Sequence, residues 1–192
     1  MANTRIKTKT LTGVALFTAI VVVLQLLGSF IRFGPFSISL VLVPLVVGAA
    51  MYGAAAGAWL GLVFGVVVLL SGDAAAFLAV NPVGTIITVL VKGLAAGWCA
   101  GLVYRALEDK NRYLAVIAAA IVCPIVNTGL FLVGCKLFFM ETITAWAESL
   151  GFASAGAYLI LGMVGLNFLV EMGTDIILSP VVMRIIRIGK GD

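Results

Sequence analysis

The chain has 192 residues, 63% of them hydrophobic and 10% charged, with a net charge of +4 and no histidine. A water-soluble domain of this length carries about a quarter charged residues, so the composition excludes one and makes lipid the solvent for most of the surface. No P-loop pattern occurs, which excludes the usual route to ATP hydrolysis, and the missing histidine removes the commonest proton shuttle and metal ligand.

The opening MANTRIKTKT is polar and basic, and an apolar stretch follows over 10–30. That stretch is longer than a signal-peptide core and no small-residue cleavage site follows it, so a retained helix is expected. Five further spans are predicted at 37–51, 53–70, 82–107, 114–139 and 156–188. A short loop, IRFGPF, separates the first two, and only Tyr52-Gly53 divides the second from the third. With the N-terminus in the cytoplasm, Arg5, Lys7, Lys9, Arg105, Lys110, Arg112, Arg184, Arg187 and Lys190 all fall inside, leaving Arg32 and Lys136 outside. Topology therefore accounts for the basic residues, and the positive charge is no nucleic-acid signature. The expectation is one all-α integral membrane domain over 1–192, a bundle of six transmembrane helices with both termini cytoplasmic.

Glycines 53, 57, 61 and 65 recur every four residues in the third span, and Gly93, Gly97 and Gly101 do so in the fourth. Such faces let helix backbones approach closely, either inside the bundle or against a partner. Ala15 and Ala19 repeat the spacing more weakly in the first span. Between spans five and six, METITAWAESLGFASAG reads as an interfacial amphipathic helix around Trp146, as a lid, or as both.

Polar residues at membrane depth require a reason. Lys92 lies inside the fourth span, Asn127 just after Cys123-Pro124 in the fifth, and Asn167, Glu171 and Asp175 form one stripe on the sixth. Lys92 either pairs with Glu171 or Asp175 to lock the bundle or belongs to a functional seam. Asp175, nearer the cytoplasmic end, reads as a structural or gating member, while Asn127 and Asn167 offer amides to a polar ligand. Asn81-Pro82 opens the fourth span. The connection around Gly72-Asp73 and the Arg32–Phe36 loop are placed to cover a pocket, with Arg32 either contacting an anion or serving as an interface residue. Arg32, Lys92 and Lys136 are the outer cations, and Phe33, Phe36 and Trp146 the evident outer aromatics, so a partly anionic ligand such as pantothenate is expected. Neither Glu171 nor Asp175 shows the histidine-and-nucleophile constellation of hydrolysis within the membrane, so no catalytic residue, metal site or cofactor is expected. Cys99, Cys123 and Cys135 are dispersed in apolar surroundings and read as small buried hydrophobes.

The ordered segments LTGVALFTAIVVVL, FGPFSISLVLVPLVVGAAMYGAAAGAWLGLVFG and NPVGTIITVLVKGLAAG resemble the substrate-binding membrane subunit, or S component, of energy-coupling factor (ECF) transporters. The resemblance covers essentially the whole chain. It implies high-affinity uptake of a small vitamin or vitamin precursor, of the pantothenate, folate or riboflavin class, without an ATPase of its own. It implies a transmembrane coupling subunit and two cytoplasmic ATPase subunits as partners, with Ala15 and Ala19 as the docking face. It places ligand contacts among Arg32, Phe33, Phe36, Asn81, Lys92, Asn127 and Asn167, and the residues' own chemistry adds Trp146 and Glu171 to the expected ligand-binding set. The nickel and cobalt branch relies on an N-terminal histidine that this chain lacks. Two other readings stand beside it. A self-sufficient secondary transporter or channel would use Lys92, Glu171 and Asp175 as a relay. A membrane scaffold would use the polar seam for packing alone.

Overall fold

The structure, a computed structural model, describes residues 2–29, 32–33, 36–37 and 40–190. Helix α1 (Ala2–Gly28) leads to a two-stranded antiparallel hairpin, β1 (Arg32–Phe33) and β2 (Phe36–Ser37). Helices α2 (Leu42–Tyr52), α3 (Ala54–Leu70), α4 (Ala75–Val80), α5 (Pro82–Leu107), α6 (Arg112–Phe138) and α7 (Met140–Ser149) follow. The chain ends in α8 (Ala155–Ala157), a π-helical stretch Tyr158–Val164, and α9 (Gly165–Lys190).

Local sequence explains several boundaries. Asn81 caps α5: its Oδ1 accepts the Gly84 N–H at 2.9 Å, and Pro82 occupies the first turn, where no N–H is needed. Asn111 caps α6 in the same way, accepting from the Tyr113 and Leu114 N–H groups. Gly53 separates α2 from α3 at φ 91°, a conformation that L side chains rarely adopt.

The expected six transmembrane helices are only partly present. By length and composition, Thr10–Gly28, Pro82–Leu107 and Arg112–Phe138 suffice to cross a membrane, and Ala155–Val164 with Asn167–Ile188 make a fourth if the bent pair is one span. The reason is length. The 11 residues of α2 reach about 16 Å and the 17 of α3 about 26 Å, against a hydrocarbon core of about 30 Å. Apolar composition alone did not separate a short helix from a crossing one. The long helices keep a lipid-facing surface: only 33% of the apolar window of α6 is buried inside the protein.

Glycine builds the interior contact between α3 and α5. A Cβ on Gly57 would strike the Gly97 carbonyl, one on Gly61 the Gly93 carbonyl, and one on Gly101 the backbone of Ala54. The two backbones thus meet directly, the close approach that replaces the hydrophobic drive missing in lipid. Gly53 does not belong to this face; it is the joint before it, with open space around it. Around the seam, Leu42, Leu45, Leu60, Phe64, Tyr104, Val116 and Ile186 form the main apolar core. A second cluster, with Phe77, Phe139, Ile143, Tyr158 and Met163, gathers under α7.

Candidate functional site

A cavity of about 100 Å³ opens between the ends of α1, α3, α5, α6 and α9. Its wall takes residues from the C-terminal halves of α1, α3 and α6 and from the N-terminal halves of α5 and α9. It therefore lies at the end of the bundle away from the exposed Arg105, Lys110, Arg112, Arg184 and Arg187.

The wall combines four kinds of group. Lys92 of α5 projects into it, with Nζ 5.7 Å from the Phe64 ring centroid and 5.2 Å from that of Phe131, so its charge rests over two aromatic faces. Asn167 and Glu171 sit one turn apart on α9, and the Asn167 Nδ2 donates to Glu171 Oε1 at 3.1 Å. Asn127 and Thr128 enter from α6, Thr85 and Thr88 from α5. The Thr85 hydroxyl donates to the Asn81 carbonyl at 2.8 Å. Gln25 of α1 reaches across 48 residues of sequence to donate from Nε2 to Asp73 Oδ2 at 2.7 Å. Phe77 and Phe139 complete the aromatic side, with ring centroids 5.0 Å apart and nearly perpendicular.

Four residues singled out in the sequence, Lys92, Asn127, Asn167 and Glu171, thus share one cavity. Asn81 is the α5 cap and is not among the described wall residues. Trp146 stands behind the wall, its ring 5.6 Å from that of Phe77. The hairpin brings the backbones of Arg32, Phe33 and Phe36 together, with Phe33 opposite Phe36, and their side chains lie outside the described residues. Lys136 is exposed, so Lys92 is the one cation among the described wall residues. Asp175 is buried on the next turn of α9, outside the described wall. Ala15 and Ala19 are exposed on α1.

Sequence reasoning missed Gln25, Thr85, Thr88 and Thr128, and above all the phenyl rings of Phe64, Phe77, Phe131 and Phe139. Phenylalanine within an apolar helix has no pattern that marks it as wall rather than core. The Gln25 amide near the end of an otherwise apolar span was the one available signal. The 71–82 connection, expected from the sequence to cover a pocket, contains α4 and places Asp73, Ala74 and Phe77 on the wall.

The family model for the ECF transporter, substrate-specific component, matches residues 9–183. The chain belongs to that family. No curated protein and no solved structure matches it. The S component is accordingly a transport protein rather than an enzyme, and a multi-pass protein of the cell membrane. Among its described residues, no group of three or more His, Cys, Asp or Glu side chains is placed to hold a metal ion.

Proposed function

We propose that this S component captures a small vitamin or vitamin precursor in the cavity and delivers it for ATP-driven uptake by partner subunits. The observation that carries the reading is a polar and aromatic cavity at the end of the bundle opposite the basic residues, in a chain whose family match covers 9–183. The positive-inside rule assigns the basic end to the cytoplasm, so the cavity faces outward, where a scavenged nutrient arrives. In this topology α2 descends, Gly53 turns the chain and α3 ascends. With α1, α5, α6 and the α8–α9 unit, this reading has six passes, two of them by helices shorter than the hydrocarbon core, and cytoplasmic termini.

The partners in this reading are an ECF transmembrane coupling subunit and two cytoplasmic ATPase subunits. Ala15 and Ala19, one helical turn apart and exposed on α1, form a smooth strip suited to close helix contact with the coupling subunit. Ligands of the pantothenate, folate and riboflavin classes are the starting panel.

Reconstitution in liposomes separates the readings. Uptake of a vitamin should require the S component, the coupling subunit, both ATPases and ATP together. Accumulation driven by an ion gradient with this chain alone would instead support a secondary transporter using Lys92 and Glu171. A scaffold would give neither uptake nor a ligand co-purifying with the detergent-solubilised protein by mass spectrometry.

A further inference from the structure

The cavity wall also bears on which ligand enters, an inference that rests on the chain being a substrate-binding subunit. Size is the first constraint. An engineered apolar cavity of about 150 Å³ holds one benzene ring, and sites for drug-sized ligands run to about 300–1,000 Å³. At about 100 Å³ this cavity is on the scale of a single ring and far below that of a fused three-ring system.

The second constraint is the aromatic lining. Phe64, Phe77 and Phe131 border the space, and the Phe77 and Phe131 rings meet edge to face at 5.7 Å. Such walls favour a flat ring over a branched aliphatic chain. The Lys92 ammonium already lies over two of these rings.

The third constraint is the direction of hydrogen bonding. Gln25 Oε1, Thr88 Oγ1 and Asn127 Oδ1 are buried and have no hydrogen-bond partner among the described residues. Gln25 cannot satisfy itself by exchanging its amide ends, because Nε2 is committed to the Asp73 carboxylate. Its carbonyl oxygen is therefore an acceptor to which no described residue donates. Asn127 presents a second amide oxygen, and the Thr88 hydroxyl can accept as well. Buried polar groups of this kind are normally paired.

We propose that the ligand is a single-ring aromatic heterocycle that donates hydrogen bonds, from amino, ring N–H or hydroxyl groups, to Gln25, Thr88 and Asn127. Neither an aliphatic carboxylate nor a flavin meets all three constraints.

The test is calorimetric binding to the full-length protein in detergent or nanodiscs, with four probes. Two carry one ring with donors: 4-amino-5-hydroxymethyl-2-methylpyrimidine and pyridoxine. The others are pantothenate and riboflavin. At least one single-ring probe should bind about tenfold or more tighter than both of the others, the loss expected for roughly one unmatched hydrogen bond or more. The 4-dimethylamino analogue of the pyrimidine keeps the ring and removes the amino donor, and should bind about tenfold more weakly if that probe is the preferred one. Thr88→Val, nearly isosteric, should weaken the preferred probe about fivefold without lowering the melting temperature, and Thr88→Ser should restore binding. Tighter binding of pantothenate or riboflavin, no preference among the probes, or indifference to Thr88→Val would overturn the proposal. ATP-dependent uptake of a vitamin of another class by the full complex would sink this inference and leave the subunit reading standing. Single-ring binding without any ATP-dependent uptake would do the reverse.

Discussion

Helix α5 shows Gly93, Gly97 and Gly101 to α3, and Thr85, Thr88 and Lys92 to the cavity. On the first side the helices touch backbone to backbone and no space remains for a methyl group. On the second side the side chains are polar or aromatic and space remains for a molecule. The seam and the cavity lie on one helix, and a rigid seam fixes where the cavity's groups point. In lipid, where apolar contact alone gives helices little reason to associate, close packing on one face is what holds polar groups in register on the other.

Filling the seam should have the largest effect. Gly61→Leu would drive a side chain into the Gly93 backbone and should cost about 3 kcal/mol or more, read as a lower melting temperature in detergent. A melting temperature equal to wild type would mean that α3 and α5 do not pack as described. Next comes Gly134→Ala, on the cavity side. Its Cβ would meet the Thr88 side chain, which is β-branched and stiff, so a cost of about 1–2 kcal/mol is expected together with weakened ligand binding. Stability loss with unchanged affinity would separate Thr88 from the ligand.

Gly129 provides the contrasting case on α6. Nothing among the described residues lies within 4 Å of a Cβ built there, so Gly129→Ala should raise stability by about 0.5 kcal/mol through the unfolded chain alone. Destabilisation would reveal a neighbour that the structure does not place there. The smallest change in stability is expected for Ala15→Trp and Ala19→Trp, since both residues are exposed. These variants should melt and bind ligand as wild type does, yet fail to pull down the coupling subunit. Assembly at wild-type levels from both would remove α1 as the docking face.

The sequence made the membrane environment and the glycine seam plain, because composition and four-residue spacing act locally. Lys92, Asn127, Asn167 and Glu171 stood out because a polar group in lipid needs a partner, and they do share one cavity. What could not be read was anything fixed by tertiary contact. Asn81 looked like a site residue, yet its oxygen is used on its own helix end. Gln25 gained its meaning only when Asp73, distant in sequence, came within hydrogen-bonding reach. The aromatic lining was illegible for the same reason: Phe64 and Phe131 belong to different helices, and only their meeting with Lys92 distinguishes them from core. Span count failed on α2 and α3 because apolar character persists through Tyr52 and Gly53, while helical length, which decides crossing, is set by the turn.

The Tyr158–Val164 stretch carries Met163 and Val164 to the cavity in π-helical geometry, and the Gly165 N–H bonds to the carbonyl of Ile160, five residues back. A π turn holds one residue more than an α turn. The stretch thus absorbs one extra residue: deleting one residue from 158–164 would let the helix continue as α with little rotation of what precedes it, whereas a deletion within α9 itself would turn the two sides by about 100° against each other. The facing of α7 and Trp146 toward the polar stripe therefore tolerates a one-residue change of chain length in this stretch and not in α9 itself.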